Sequence, residues 1–197
     1  MKLNRFFPTI IGTATNEDHS NIEKKLVDKC YSLQKKIKSG GENWISKNTY
    51  NTSYTYNIWN DKDFRDLNNW VLEQIKEYSK QLNYSSEFTC DSAWFNIYKK
   101  YDFQDKHEHS PSSLSCIYYL KTDPEKSAKT WFYSKNTDGL EPLTKIKTID
   151  TSSTISCNPS AGELIIFRSN IEHSVERQEI DEDRISLAYN FKLLQQK

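Results

Sequence analysis

Apolar residues recur at three- and four-residue intervals in two stretches of the first half of the chain. Ile22, Leu26, Cys30, Leu33 and Ile37 form one series, and Gly40-Gly41 follows it. Phe64, Leu67, Val71, Ile75, Tyr78 and Leu82 form the other. This period gathers each series on one side of a helix. The spacing predicts a first helix opened by a capping box of Ser20 and Glu23, and a second helix over 63–82. Residues 6–11 are β-branched and aromatic with one proline, which suits an edge strand ahead of both helices. The Asn/Thr/Tyr-rich residues 43–59 are expected to form loop with a short strand.

The period changes in the second half. β-Branched and aromatic runs over 93–98, 114–120, 130–133, 145–149, 163–167 and 184–193 read as strands. Turn formers at 110–112, 138–139 and 158–162 separate them. The last run alternates sharply: Ile185, Leu187, Tyr189 and Phe191 face one way, Arg184, Ser186, Ala188 and Asn190 the other. The apolar face is expected to pack on the helices. Helices first and many short strands later predict an α+β fold, with the helices backing a β-sandwich or barrel. At 197 residues one domain is expected, with 1–88 supporting a β core over 89–197.

Composition narrows the function classes. Lys+Arg and Asp+Glu are both 27, so the formal net charge is zero, and no duplex nucleic-acid partner held by charge is expected. The five glycines, at 12, 40, 41, 139 and 162, cannot assemble a Gly-rich phosphate cradle. The cysteines at 30, 90, 116 and 157 form no CxxC pair, which argues against a zinc ribbon and suits free thiols in a reducing, cytoplasmic setting. The N-terminus lacks the pattern of a secretory signal, and no apolar run reaches membrane length, so no membrane partner is expected.

Candidate chemistry centres on histidine. Four are present, at 19, 107, 109 and 173. In an extended segment His107 and His109 point to one face and Glu108 to the other, a two-toothed clamp for a metal. His173 follows the strand-like run 163–167, and imidazole suits Fe, Zn, Cu or Ni. The competing reading makes all three surface or loop residues. Arg184 shares its strand face with Ser186 and Asn190; if buried, it needs an anion. A salt bridge to one of the chain's carboxylates is the simplest supply.

Two segments carry a family resemblance. WFNIYKKYDFQDKHEHSPSSLSCIYYL, over 94–120, and PSAGELIIFRSNIEHSVERQEIDEDRISLAYN, over 159–190, resemble the Fe(II)- and 2-oxoglutarate-dependent oxygenases. The likeness is nearest to a bacterial and phage group in which a Phe-Pro opening like 6–8 is followed by H-x-H and a Ser-x-x-Tyr-Tyr strand, here Ser115 to Tyr119. The prolyl-hydroxylase-like enzymes are more distant. It covers about 90–193 well and the N-terminal part loosely.

The resemblance implies a double-stranded β-helix, a jelly-roll or cupin-like barrel with helices outside. It implies Fe(II), 2-oxoglutarate as cosubstrate and O₂. The reaction implied is hydroxylation with release of succinate and CO₂; the substrate is open between a small molecule and a protein side chain. His107 and His173 match the family's histidine ligands. Arg184, followed by Ser186, matches the residue that grips the far carboxylate of 2-oxoglutarate, a task for two parallel guanidinium donors. Tyr119 matches a second contact to that carboxylate, and Tyr98 and Asn96 fall beside the cosubstrate pocket. One departure stands out. Where the wider superfamily has Asp or Glu two residues after the first His, this chain has His109. Pleating favours His109 as third ligand; Glu108 and Asp105 are the carboxylate alternatives. Trp94, Phe95, Trp131 and Phe167 are expected mainly as core. Two other function classes remain: a metal-binding β-barrel, isomerase or three-His dioxygenase, that does not use 2-oxoglutarate, and a non-catalytic interaction module.

Overall fold

The structure is a computed structural model and describes residues 9–84, 87–135 and 152–194. In chain order these form β1 (Gly12–Thr15), α1 (His19–Gln34), β2 (Tyr50–Asn51), α2 (Arg65–Gln81), β3 (Phe88–Tyr98), β4 (Gln104–His107), β5 (Leu114–Lys121), β6 (Thr130–Tyr133), β7 (Thr154–Cys157), β8 (Glu163–Arg168), β9 (Glu172–Val175) and β10 (Arg184–Leu193). The strands make two antiparallel sheets. The larger runs β1-β8-β5-β10-β3-β2 and the smaller β4-β9-β6-β7.

The alternation along β10 sets the layering. Ile185, Leu187, Tyr189 and Phe191 join Phe95 and Ile97 of β3, and Cys116, Tyr118 and Leu120 of β5, in one core with the buried stripes of both helices. Leu26, Cys30 and Leu33 come from α1, and Leu67, Val71 and Ile75 from α2. The opposite face of the large sheet looks toward the small sheet. There Ile117, Tyr119, Ile165 and Phe167 meet Phe132 in a second, smaller core. The architecture is the expected α+β double-stranded β-helix: a two-sheet barrel that does not close, with helices on one flank.

Element boundaries depart from expectation for identifiable reasons. The Ser20–Glu23 capping box does not form. The Asn16 side chain accepts from the Asp18 N–H at 3.0 Å and the Asn16 carbonyl from the His19 N–H at 3.0 Å, so α1 starts before Ser20. Ahead of α2, the Asp61 side chain caps a short 3₁₀ turn over Lys62–Phe64 at 2.9 Å, and the α-helix begins only at Arg65. β3 opens at Phe88 rather than 93 because it pairs with β10 out to Leu193. The four-residue strands β4, β7 and β9 are too short for an alternation to announce them. The expected strand 145–149, the turn 138–139 and the Phe-Pro segment 6–8 lie outside the described residues.

Gly162 joins helix to sheet. Its φ of +89° suits glycine, and a Cβ there would sit 2.8 Å from that of His19. Its N–H donates to the Tyr119 carbonyl at 2.8 Å, and its carbonyl accepts from the Asn16 N–H at 2.9 Å. All four cysteines are free thiols. Among the described residues no helix is long and apolar enough to cross a membrane.

Candidate metal and cosubstrate site

The small sheet brings two distant histidines face to face. In the β4–β9 pairing Gln104 lies opposite Val175 and His107 opposite His173, so three steps on β4 span two on β9. That irregularity is a β-bulge, and it turns both Gln104 and His107 into the barrel. The His107 and His173 ring centroids are 4.3 Å apart. His109 lies two residues past the end of β4, where a turn opens. Its backbone N–H donates to the Ser169 carbonyl at 2.8 Å, and its ring sits 5.0 Å from both other imidazoles and 5.5 Å from Trp94. One ring nitrogen from each of the three falls within 4.8 Å of the others.

Hydrogen bonds select the nitrogens. A carbonyl oxygen only accepts. His107 Nδ1 therefore donates to the Asp105 carbonyl at 2.8 Å, and His173 Nδ1 to that of Ile171 at 3.1 Å. Each ring then directs its Nε2 lone pair into the cluster, the arrangement that orients imidazole ligands. Burial depresses all three pKa values. For His107 burial is the main cause; for His109 burial and then the neighbouring His107 push it down to about 3; for His173 burial, His107 and His109 hold it well below the ordinary value. The three imidazoles stay neutral at physiological pH, as a cation requires.

Neither carboxylate alternative joins the cluster. Glu108 points away and pairs with Lys135 at 2.7 Å. Asp105 reaches His107 through its backbone carbonyl, because the bulge removes the regular alternation that would put their side chains together.

Arg184 lies beyond the histidines on the same interior. It is 1% exposed. Its guanidinium carbon sits 5.0 Å from the Tyr98 ring and 5.1 Å from the Tyr119 ring. Nη2 donates to Thr130 Oγ1 at 3.0 Å, and the Tyr119 hydroxyl meets the same oxygen at 2.8 Å. Nε and Nη1 are buried with no hydrogen-bond partner. The salt bridge expected for Arg184 is absent among the described residues; a hydroxyl and two aromatic faces surround it instead. Two unpartnered donors on a buried cation call for an anion, and the second Nη2 hydrogen, beside one or other of them, completes a two-donor edge that matches one carboxylate. The residues present thus fit both groups that the sequence implied: three neutral nitrogens for an ion, and a guanidinium fork for the far end of a dicarboxylate.

The other anticipated residues fall near this line. Ser186 is one rung along β10 from Arg184, and its hydroxyl accepts from Asn96 Nδ2 at 3.4 Å. Asn96 Oδ1 accepts from the Trp94 indole at 3.1 Å. Phe167 packs edge-on to His173 at 4.8 Å, whereas Phe95 lies in the helix-side core and Trp131 turns outward to Glu176. Thr130 and Gln104 were not anticipated. Thr130 was readable, since it alternates with Trp131 and so shares Phe132's inward face. Gln104 was not, because a bulge leaves no mark in the pattern.

A family model described as "Putative 2OG-Fe(II) oxygenase" matches residues 92–190. The chain belongs to this family of 2OG-Fe(II) oxygenases. The family's chemistry uses Fe(II), 2-oxoglutarate and O₂. Comparison with curated protein sequences gives no match. Solved structures similar in fold include a Pseudomonas putida prolyl-4-hydroxylase, with a TM-score of 0.63 and 14% identity over 95% of this chain and 94% of that one. A Trichoplax adhaerens prolyl hydroxylase, solved with a peptide of the hypoxia inducible factor oxygen degradation domain, has a TM-score of 0.68 and 14% identity over 92% and 83%. The epimerase SnoN, solved with Fe³⁺, alpha ketoglutarate and nogalamycin RO, has a TM-score of 0.66 and 12% identity over 93% and 79%. At such identities the likeness is one of fold. The oxygenase fold therefore serves a hydroxylase in one relative and an epimerase in another.

Proposed function

We propose that this oxygenase is a hydroxylase that holds Fe(II) on His107, His109 and His173 and binds 2-oxoglutarate with its far carboxylate on Arg184. One observation carries the reading: a fully buried arginine with two free donors stands on the same interior as three converging neutral imidazoles. A metal barrel that does not use 2-oxoglutarate, or a non-catalytic module, leaves those donors without an anion. The prolyl hydroxylases among the similar folds favour hydroxylation over epimerisation. The substrate is a small molecule or a protein side chain.

The chain's own residues supply position and shelter. The Arg184 Nη2 hydrogen that does not go to Thr130 lies beside either Nε or Nη1 and forms with it a two-donor edge for one carboxylate, and Thr130 together with Tyr119 fixes the guanidinium plane. Trp94, Phe132 and Phe167 pack around the imidazoles, which keeps water out and strengthens charge interactions. Iron with 2-oxoglutarate, when bound, supplies the oxidation of substrate with release of succinate and CO₂.

The test has two stages. Anaerobic protein with Fe(II) should develop a visible charge-transfer band when 2-oxoglutarate is added. No band, or a band unchanged in Arg184→Met, rejects the binding assignment. With air admitted, succinate should form, and substrate candidates should gain one oxygen atom from isotopically labelled O₂. Products without labelled oxygen reject hydroxylation.

A further inference from the structure

Gln104 is buried, 9% exposed, and touches both halves of the site. Its Nε2 lies 3.1 Å from His107 Nε2, and its Oε1 accepts from the Tyr98 hydroxyl at 2.9 Å. The orientation follows by elimination. His107 Nδ1 carries the proton given to Asp105, so Nε2 presents a lone pair, and only the NH₂ end of Gln104 can face it. The carbonyl end then faces Tyr98, whose hydroxyl must donate. The result is one chain of bonds from the Asp105 carbonyl through His107 and Gln104 to Tyr98, whose ring stacks on Arg184.

An ion and an N–H cannot share one lone pair. A cation on His107 Nε2 displaces the Gln104 amide and repels its hydrogens. Turning the amide over answers both problems: Oε1 faces the ion, and the NH₂ donates to the Tyr98 oxygen. The Tyr98 proton is then free to point at whatever anion satisfies Arg184. We propose that Gln104 is a positioning residue that couples ion binding at His107 to carboxylate binding at Arg184 through the direction of the Tyr98 hydroxyl. The inference rests on the ligand and cosubstrate assignments made above. It adds a residue that touches neither the far carboxylate nor the substrate, and it predicts an order: ion occupancy prepares the dicarboxylate pocket.

The test uses Zn(II), which is redox-silent, and glutarate, a dicarboxylate of the same length that lacks the keto group. Calorimetry gives the glutarate dissociation constant with and without saturating Zn(II), and their ratio is the readout. Attraction between ion and anion is common to every variant and cancels. One added hydrogen bond to a charged group predicts a ratio about tenfold larger in wild type than in Gln104→Met. Tyr98→Phe should lower it similarly, and the double variant no further, since both act on one bond. Equal ratios in wild type and Gln104→Met overturn the coupling. Should that variant not fold, Tyr98→Phe decides alone, and a wild-type ratio there overturns it. A wild-type protein that binds no Zn(II) or no 2-oxoglutarate overturns the site assignment itself. Normal binding of both with an unchanged ratio overturns the relay only.

Discussion

The two faces of the large sheet are made by the same strands and obey opposite rules. Toward the helices, β10 offers Ile185, Leu187, Tyr189 and Phe191 to a continuous apolar core. Toward the barrel it offers Arg184, Ser186, Ala188 and Asn190, all buried as well. The first face gains from transfer out of water. The second forgoes much of that gain, and its polar groups bond only in part. Ser115 bonds Asn190 and Ser169, Asn96 bonds Ser186, but two donors of Arg184 bond nothing. One residue of spacing thus separates side chains that hold the fold from side chains that wait for a ligand.

Substitutions on the two faces should move different measurements. On the helix side, Phe95→Ala removes a fully buried ring packed on Tyr50. Urea unfolding should show a loss of roughly 3–5 kcal/mol. A loss near zero means that this face is not the stabilising one. On the barrel side, Arg184→Met should cost little or no stability without ligand, because it removes a buried charge that has one bond, to Thr130, and leaves Nε and Nη1 unmet. Its effect belongs to binding: 2-oxoglutarate affinity should fall by at least roughly 100-fold, the worth of two bonds to a charged group. Marked destabilisation of ligand-free Arg184→Met would mean that the cation is already satisfied within the protein.

The sequence was most legible where a single period governs. The apolar stripes of α1 and α2 and the alternation of β10 needed no tertiary information, and each lies in the core where its period placed it. Histidines 107, 109 and 173 were legible as types and positions, although only the fold brings His173 opposite His107. What escaped depends on pairing. The bulge in β4 redirects Gln104 and Asp105, and no residue type announces a bulge. Thr130 became important because Tyr119 and Arg184 converge on it from other strands. The capping box failed because Asn16, four residues ahead of Ser20, offered a better turn.

Acid should sharpen the contrast, because the barrel face carries three depressed histidines and the helix side one, His19 on α1, which burial also lowers. A histidine held below its unfolded value near 6.5 stays neutral where the unfolded chain is already protonated. The unfolded state then binds more protons, so stability falls as pH falls. His107, His109 and His173 are all depressed, His109 to about 3. Chelator-treated protein should therefore lose stability progressively below pH 6.5, with each histidine adding up to about 1.4 kcal/mol per pH unit until its folded value is reached. Replacing His109 by Gln should flatten that slope while leaving the helix-side core intact. Unfolding midpoints that do not change between pH 7 and pH 5 would mean that the imidazoles already titrate in the folded state.

The smallest effect expected is the most discriminating for the third ligand. Glu108 sits between two histidines in sequence and outside their cluster in space, pinned to Lys135 at 2.7 Å on the solvent side. That lysine keeps its carboxyl below the usual carboxylate range, and no ion is needed to explain the charge there. Glu108→Gln should leave Zn(II) affinity and the unfolding midpoint at their wild-type values, whereas His109→Gln should weaken Zn(II) binding at once. If the two variants exchange behaviour, the segment after β4 must rotate by one residue when the ion binds. The pleat would then reverse, Glu108 would turn inward beside His107, and the chain would recover the two-histidine, one-carboxylate set of the wider superfamily.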